Sequence, residues 1–166
     1  METIEYRTLD ADKKHWGPGP WDDEPDKVQY EDPETGLPCL IVRNRQGALC
    51  GYVGVSPEHP YFKVEFQDVP DLDVHGGSLS YSNVCMENMP EDCGVCHIPG
   101  PEDSDEVWWL GFDTAHGFDY TPTFGKHGEV MHGVDNVPPV PAVTYKTIGY
   151  VKAEIASLAK QLVAVT

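Results

Sequence analysis

Basic side chains are scarce in this chain: 11 Lys and Arg stand against 28 Asp and Glu, a net charge of −17. A phosphate backbone or an anionic membrane surface would repel it, so direct nucleic-acid binding is not expected. Long apolar runs are lacking too. None approaches the ~20 residues that cross a bilayer, and the N-terminal METIEYRTLDADKKHW has neither a basic start nor an apolar signal core. A cytoplasmic protein without membrane contact is the expectation. Cysteine is limited to five, and an odd number without an export signal points to reduced thiols rather than a disulfide framework. Missing as well are a P-loop, a nucleophile elbow, an HExxH helix and a dinucleotide fingerprint, so none of those chemistries is indicated.

What is abundant is glycine and proline, 16 and 15 residues of 166, which predicts long ordered loops on a modest regular scaffold. Hydrophobic residues at 40% and charged residues at 23% are ordinary for a globular chain, and this length supports one domain with a single core. The acids gather at 22–34, 65–73 and 87–106 and read first as a solvated surface.

Residues 10–38 combine Pro, Gly and acids with Trp16, Trp21 and Tyr30, which predicts an irregular N-terminal arm. The β-rich runs 39–43 and 48–55 flank Asn44 to Gly47 and predict a hairpin. Further strands are expected at 61–66, 72–75, 78–82 and 106–112, the last with Trp108, Leu110 and Phe112 on one face and Val107 and Trp109 on the other. Residues 117–143 return to Gly and Pro richness. Ile148, Val151, Ile155, Leu158 and Leu162 recur at helical spacing and predict an amphipathic helix over 145–162, with Thr144 as N-cap. The fold class is α+β across 1–166: a small, mainly antiparallel sheet with the C-terminal helix packed on one face.

Two polar clusters adjoin apolar or Gly-rich segments. Asp71, Asp73 and His75 alternate with Leu72 and Val74, and Gly76 and Gly77 follow at once. Paired glycines permit a sharp turn or close approach to a ligand. A calcium loop is rejected because its twelfth position would be Ser82 rather than a bidentate Glu. Asp113, His116 and Asp119 follow the most apolar strand at intervals of three. Together Asp73, His75, Gly76, Gly77, Trp109, Asp113, His116 and Asp119 form the expected ligand site, in which His75, Asp113 and His116 have the donor types for a divalent metal. The plain alternative is a capped turn with satisfied histidines.

Cys93, Cys96 and His97 match the haem-attachment pattern CxxCH. Covalent haem is attached outside the cytoplasm and is not expected here. Cys85, Cys93, Cys96 and His97 form a separate candidate zinc set, weighed against reduced structural cysteines. Cys39 and Cys50 read as core, and His59 as a turn histidine.

The segments WGPGPWDDEPD, GLPCLIV, LCGYVGV, DVHGG, WWLGFDTAHGFD and YKTIGYVKAEIASLAKQL span most of the chain. In them the sequence resembles a family of small proteins, of uncharacterised function, encoded by tailed phages and prophages. The resemblance implies phage origin and the cytoplasm of an infected host cell, but no catalytic residue or ligand. Three functions are therefore weighed. The first is an accessory protein binding a small, nucleotide-like ligand or host signal, with Arg43, Arg45 or Lys63 offsetting the acidic charge. The second is a divalent-metal-dependent hydrolase. The third is an acidic protein that blocks a basic host protein surface.

Overall fold

The computed structural model describes residues 1–123 and 143–165. It is an α+β fold. Six antiparallel strands form one sheet: β1 (Ile4–Tyr6), β2 (Lys27–Glu31), β3 (Pro38–Arg43), β4 (Leu49–Val55), β5 (Tyr81–Val84) and β6 (Trp108–Asp113). Their spatial order is β1-β2-β3-β4-β6-β5. A short helix α1 (Asp10–Trp16) precedes β2, and helix α2 (Ile148–Val163) packs on one sheet face. No helix among the described residues is long and apolar enough to cross a membrane.

The predicted hairpin forms as β3 and β4, pairing Cys39 with Val53 and Ile41 with Gly51. Both strands are buried on both faces, as expected of near-continuous apolar runs at the centre of a sheet. Alternation along β6 sends Trp108, Leu110 and Phe112 into the helix-side core and Trp109 into a second cluster beneath. Val151, Ile155, Leu158 and Leu162 of α2 are fully buried against the first core, each such side chain contributing about 2 kcal/mol. Gly51 makes that contact close: a β-carbon there would stand 2.6 Å from Phe112 Cζ and 2.9 Å from Ile155 Cγ1.

Both ends of α2 are tied down. Its N-cap is Thr147, not Thr144, with Oγ1 accepting from Tyr150 N at 3.3 Å. Glu24 Oε2 accepts from Ile148 N at 2.7 Å, and Glu24 Oε1 accepts from Tyr145 OH at 2.6 Å. At the other end His59 accepts from Tyr61 N through Nδ1 (3.0 Å) and so donates through Nε2 to Leu162 O (2.8 Å). The turn histidine is thus a C-terminal cap.

Several expectations are corrected. The arm 10–38 is not irregular: it holds α1, a 3-10 turn at Pro20–Asp23 and β2. Trp21 is buried there, stacked on Tyr120 at 6.1 Å, with Nε1 donating to Gly17 O at 3.1 Å. Segments 61–66 and 72–75 are not strands; Lys63 has φ 60, and Phe62 reaches the core from a turn, Val64 from irregular chain and Phe66 from a short 3-10 helix. The strand expected at 78–82 lies at Tyr81–Val84. Of the Gly- and Pro-rich stretch 117–143, residues 124–142 lie outside the described residues.

The face of the sheet away from α2 is covered by irregular chain. Lys27 and Gln29 of β2 point to it and are almost completely buried. Lys27 Nζ donates to Glu91 O, and Gln29 Nε2 donates to Glu2 O (2.9 Å) and Ile98 O (3.2 Å), while Ile98 N returns a bond to Gln29 Oε1 at 2.8 Å. Met86 N donates to Val95 O at 3.1 Å, and Val95 is buried in the second cluster.

Candidate functional site

The apolar strand β6 ends at Asp113, and the chain beyond it turns back so that Asp119 N donates to His116 O at 2.9 Å. Asp119 is then held against the lead-in to α2 by a parallel bridge to Thr144, with Tyr120 N donating to Thr144 O at 2.9 Å. His75 arrives from another direction. Val74 is buried beside it, and Gly76 and Gly77 both take positive φ in the turn that follows. Gln161 of α2 clamps that segment, accepting from Asp73 N (2.7 Å) and donating to Asp73 O (2.8 Å).

The two histidines meet on one carboxylate. His75 Nε2 faces both oxygens of Asp119, at 2.9 Å and 2.8 Å, so it carries the ring hydrogen. In the neutral ring Nδ1 then accepts from Tyr150 OH at 2.7 Å. Asp119 Oδ2 also accepts from His116 N (3.0 Å) and His116 Nδ1 (3.1 Å). Lys146 Nζ completes the set, 2.9 Å from Asp119 Oδ1, while donating to Thr144 O and Thr144 Oγ1. Asp119 has no exposed side-chain surface, whereas His116 is 31% exposed. Among the described residues His116 Nε2 makes no hydrogen bond, and it lies against Gly76.

Aromatic rings frame the cluster. Phe118 is exposed and lies parallel to the His116 imidazole at 5.3 Å. The His75 ring stands edge-on to His116, Phe118 and Tyr150. The Lys146 ammonium lies over the Phe118 and Tyr150 rings at 6.0 Å and 5.8 Å. Burial pushes the Asp119 carboxyl up, but the donors from His75, Lys146 and His116 together outweigh it and hold Asp119 below its ordinary value. Tyr150 is raised, first by burial and then by the charges of Glu154 and Asp119.

The structure thus brings His75, His116 and Asp119 together, with ligating atoms within 4.8 Å of one another. Asp113 stands at the margin, 3.7 Å from His116 Nδ1, and is occupied by Ser80 Oγ (3.1 Å) and Ala115 N (2.9 Å). In the expected metal set of His75, Asp113 and His116, Asp119 therefore takes the place of Asp113. Asp73 contributes its backbone to Gln161 and leaves its side chain exposed. Gly76 approaches His116, not a ligand, and Gly77 borders open space. Trp109 is corrected out of the site: it is buried on the opposite sheet face. Sequence reasoning missed Lys146, Phe118 and Tyr150. The signal for Tyr150 was an aromatic residue off the apolar stripe of the helix.

The cationic residues expected to offset the acidic charge lie elsewhere. Arg43 is buried, with Nε 2.8 Å from Asp26 Oδ1 and Nη1 2.6 Å from Tyr145 OH. Lys63 pairs with Glu106 at 3.5 Å, and Arg45 is exposed.

Among the cysteines, Cys85 and Cys96 form a disulfide, which corrects the expectation of five reduced thiols. Cys93 is exposed and outside the Cys85, Cys96 and His97 group, so the four-ligand zinc set loses a member. Cys39 and Cys50 are buried as expected, and burial pushes both thiols up to about 12. Comparison of the chain with protein-family models, curated proteins and solved structures gives no match.

Proposed function

We propose that this protein binds a small, anionic, ring-bearing ligand of nucleotide-like chemistry over the cluster of His75, His116, Asp119 and Lys146. It would act as an accessory protein of tailed-phage origin in the cytoplasm of the infected host cell. One observation carries the reading: in a chain of net charge −17, an ammonium and two imidazoles gather on a single buried carboxylate beside the exposed ring of Phe118. Lys146, its ammonium over the Phe118 ring, supplies the cation that an anionic ligand would meet there. Phe118 offers a face for stacking, and His116 Nε2 a directed donor or acceptor.

Native mass spectrometry of protein purified from infected cells tests this. The parent should carry a non-covalent mass of nucleotide size that is absent from Phe118→Ala and His116→Ala. Identical masses in parent and variants would refute the reading.

A second reading, divalent-metal-dependent hydrolysis, is favoured by the convergence of the His75, His116 and Asp119 ligand atoms within 4.8 Å. An ion held there would lower the pKa of its bound water. It would also require Lys146 to release Asp119. A cobalt absorption spectrum that His75→Ala abolishes would favour this reading over the first.

A further inference from the structure

On the sheet face opposite the imidazole cluster, the Cys85–Cys96 disulfide sits beside His97, with Cα atoms 4.5 Å apart. His97 turns Nδ1 toward Cys85 Sγ at 3.8 Å. Both sulfurs and an imidazole nitrogen lie within 4.8 Å of one another. Trp109, fully buried, directs its indole N–H to Cys85 Sγ at 3.4 Å. A neutral disulfide sulfur is a weak acceptor for a buried indole, whereas a thiolate is a strong one. The His97 ring is itself fixed edge-on against Trp109 at 5.3 Å.

We propose that in the reduced protein Cys85, Cys96 and His97 bind a zinc ion, and that the disulfide is the oxidised, metal-free state of the same site. Two thiolates and one imidazole are soft and borderline donors, which select zinc over magnesium or calcium. Three protein ligands leave a fourth position for water. Cys85 also lines a cleft of about 780 Å³ with Met86, Met89 and Val107, and this cleft is the proposed route of the small thiol or disulfide. Interconversion is a two-electron exchange. The two zinc-bound thiolates give their electrons to a small-molecule disulfide, the Cys85–Cys96 bond forms, the S–S bond of the oxidant breaks, and two thiolates and the zinc ion are released. Cys93, whose Sγ faces Pro90 O at 3.8 Å, takes no part.

The test compares the reduced and disulfide forms of the whole protein by zinc stoichiometry and by the spectrum of the cobalt-substituted form. The reduced protein should hold one zinc per chain and show thiolate-to-cobalt charge transfer. The disulfide form should hold none at this site, and glutathione disulfide should release the bound zinc. His97→Ala should weaken retention at least about tenfold. Cys93→Ser and His75→Ala should leave the charge-transfer band unchanged. A reduced protein with no charge-transfer band, or one that loses the band in Cys93→Ser, overturns the proposal. Because the wild-type redox pair decides the outcome, a poorly folded Cys85→Ser variant would not obscure it.

Discussion

The His116 imidazole lies over Gly76 so closely that a β-carbon at Gly76 would stand 2.4 Å from its Nε2. Gly76 therefore serves two geometric demands, a positive φ of 84 and the seat of an imidazole. Gly77, with φ 93 and open space beside it, serves only the first. Gly77→Ala should destabilise by about 1–2 kcal/mol through backbone strain alone. Gly76→Ala should exceed that, because His116 must also leave Asp119. Thermal melts of the two variants check this, and equal losses would mean that the His116 contact contributes nothing.

Asp119 links the site to acid sensitivity. Its carboxyl is depressed in the folded protein below the unfolded value of about 3.8. Its contribution is therefore fully present above that value and is lost as pH falls through the lower folded one. Asp26, also depressed, behaves alike. Asp119→Asn should lose stability near neutral pH and then fall less steeply than the parent in acid. Unfolding free energies from urea titrations across that range provide the measurement.

Arg43 joins the N-terminal segment to the start of α2 through Asp26, Glu24 and Tyr145. Arg43→Met strips Asp26 of one of its two buried cations, leaving Lys13 at 2.9 Å. A loss of about 3–5 kcal/mol is expected, read as a lower denaturant midpoint at unchanged slope.

Helix and sheet meet where Ile155 fills the space beside Gly51. Ile155→Asp would bury an unpaired charge and should unfold a marginal domain. Gly51→Ala should cost about 1–3 kcal/mol by overpacking. A parent-like melting temperature for Ile155→Asp would contradict the assignment of this stripe to the core.

The disulfide closes a sequence separation of 11 residues. Reduction in the presence of a chelator should lower stability by about 3 kcal/mol. Zinc added to the reduced protein should restore part of it, as binding to the native state alone requires. Calorimetry of the three forms supplies the comparison.

The α2 stripe, the β3–β4 hairpin and the two faces of β6 were legible because their apolar periodicity is local. The convergence of His75 with His116 was legible too, from two polar clusters each set beside buried chain. β2 was not, because its second face presents Lys27 and Gln29, which look solvent-facing until remote carbonyls from Glu91, Glu2 and Ile98 meet them. Segment 61–66 misled in the opposite sense: its alternating aromatics reach the core from a turn and a short 3-10 helix. Lys146 was hidden because its role depends on the bridge between Asp119 and Thr144, a pairing that no local pattern encodes.

The two faces of the sheet are closed by different means. On one lies a sixteen-residue helix capped at both ends, joined by Phe62, Val69, Val74 and Leu79 from the chain between β4 and β5; on the other lies irregular chain fastened by Lys27, Gln29 and the Cys85–Cys96 link. Amide exchange should therefore divide the molecule by face, since cooperative opening follows the number of bonds that must break together. The expected outcome is faster exchange beneath the irregular cover than in the helix-side core. The protein would then keep a durable half and a renewable half, and the redox state of two sulfur atoms would set how often the second opens.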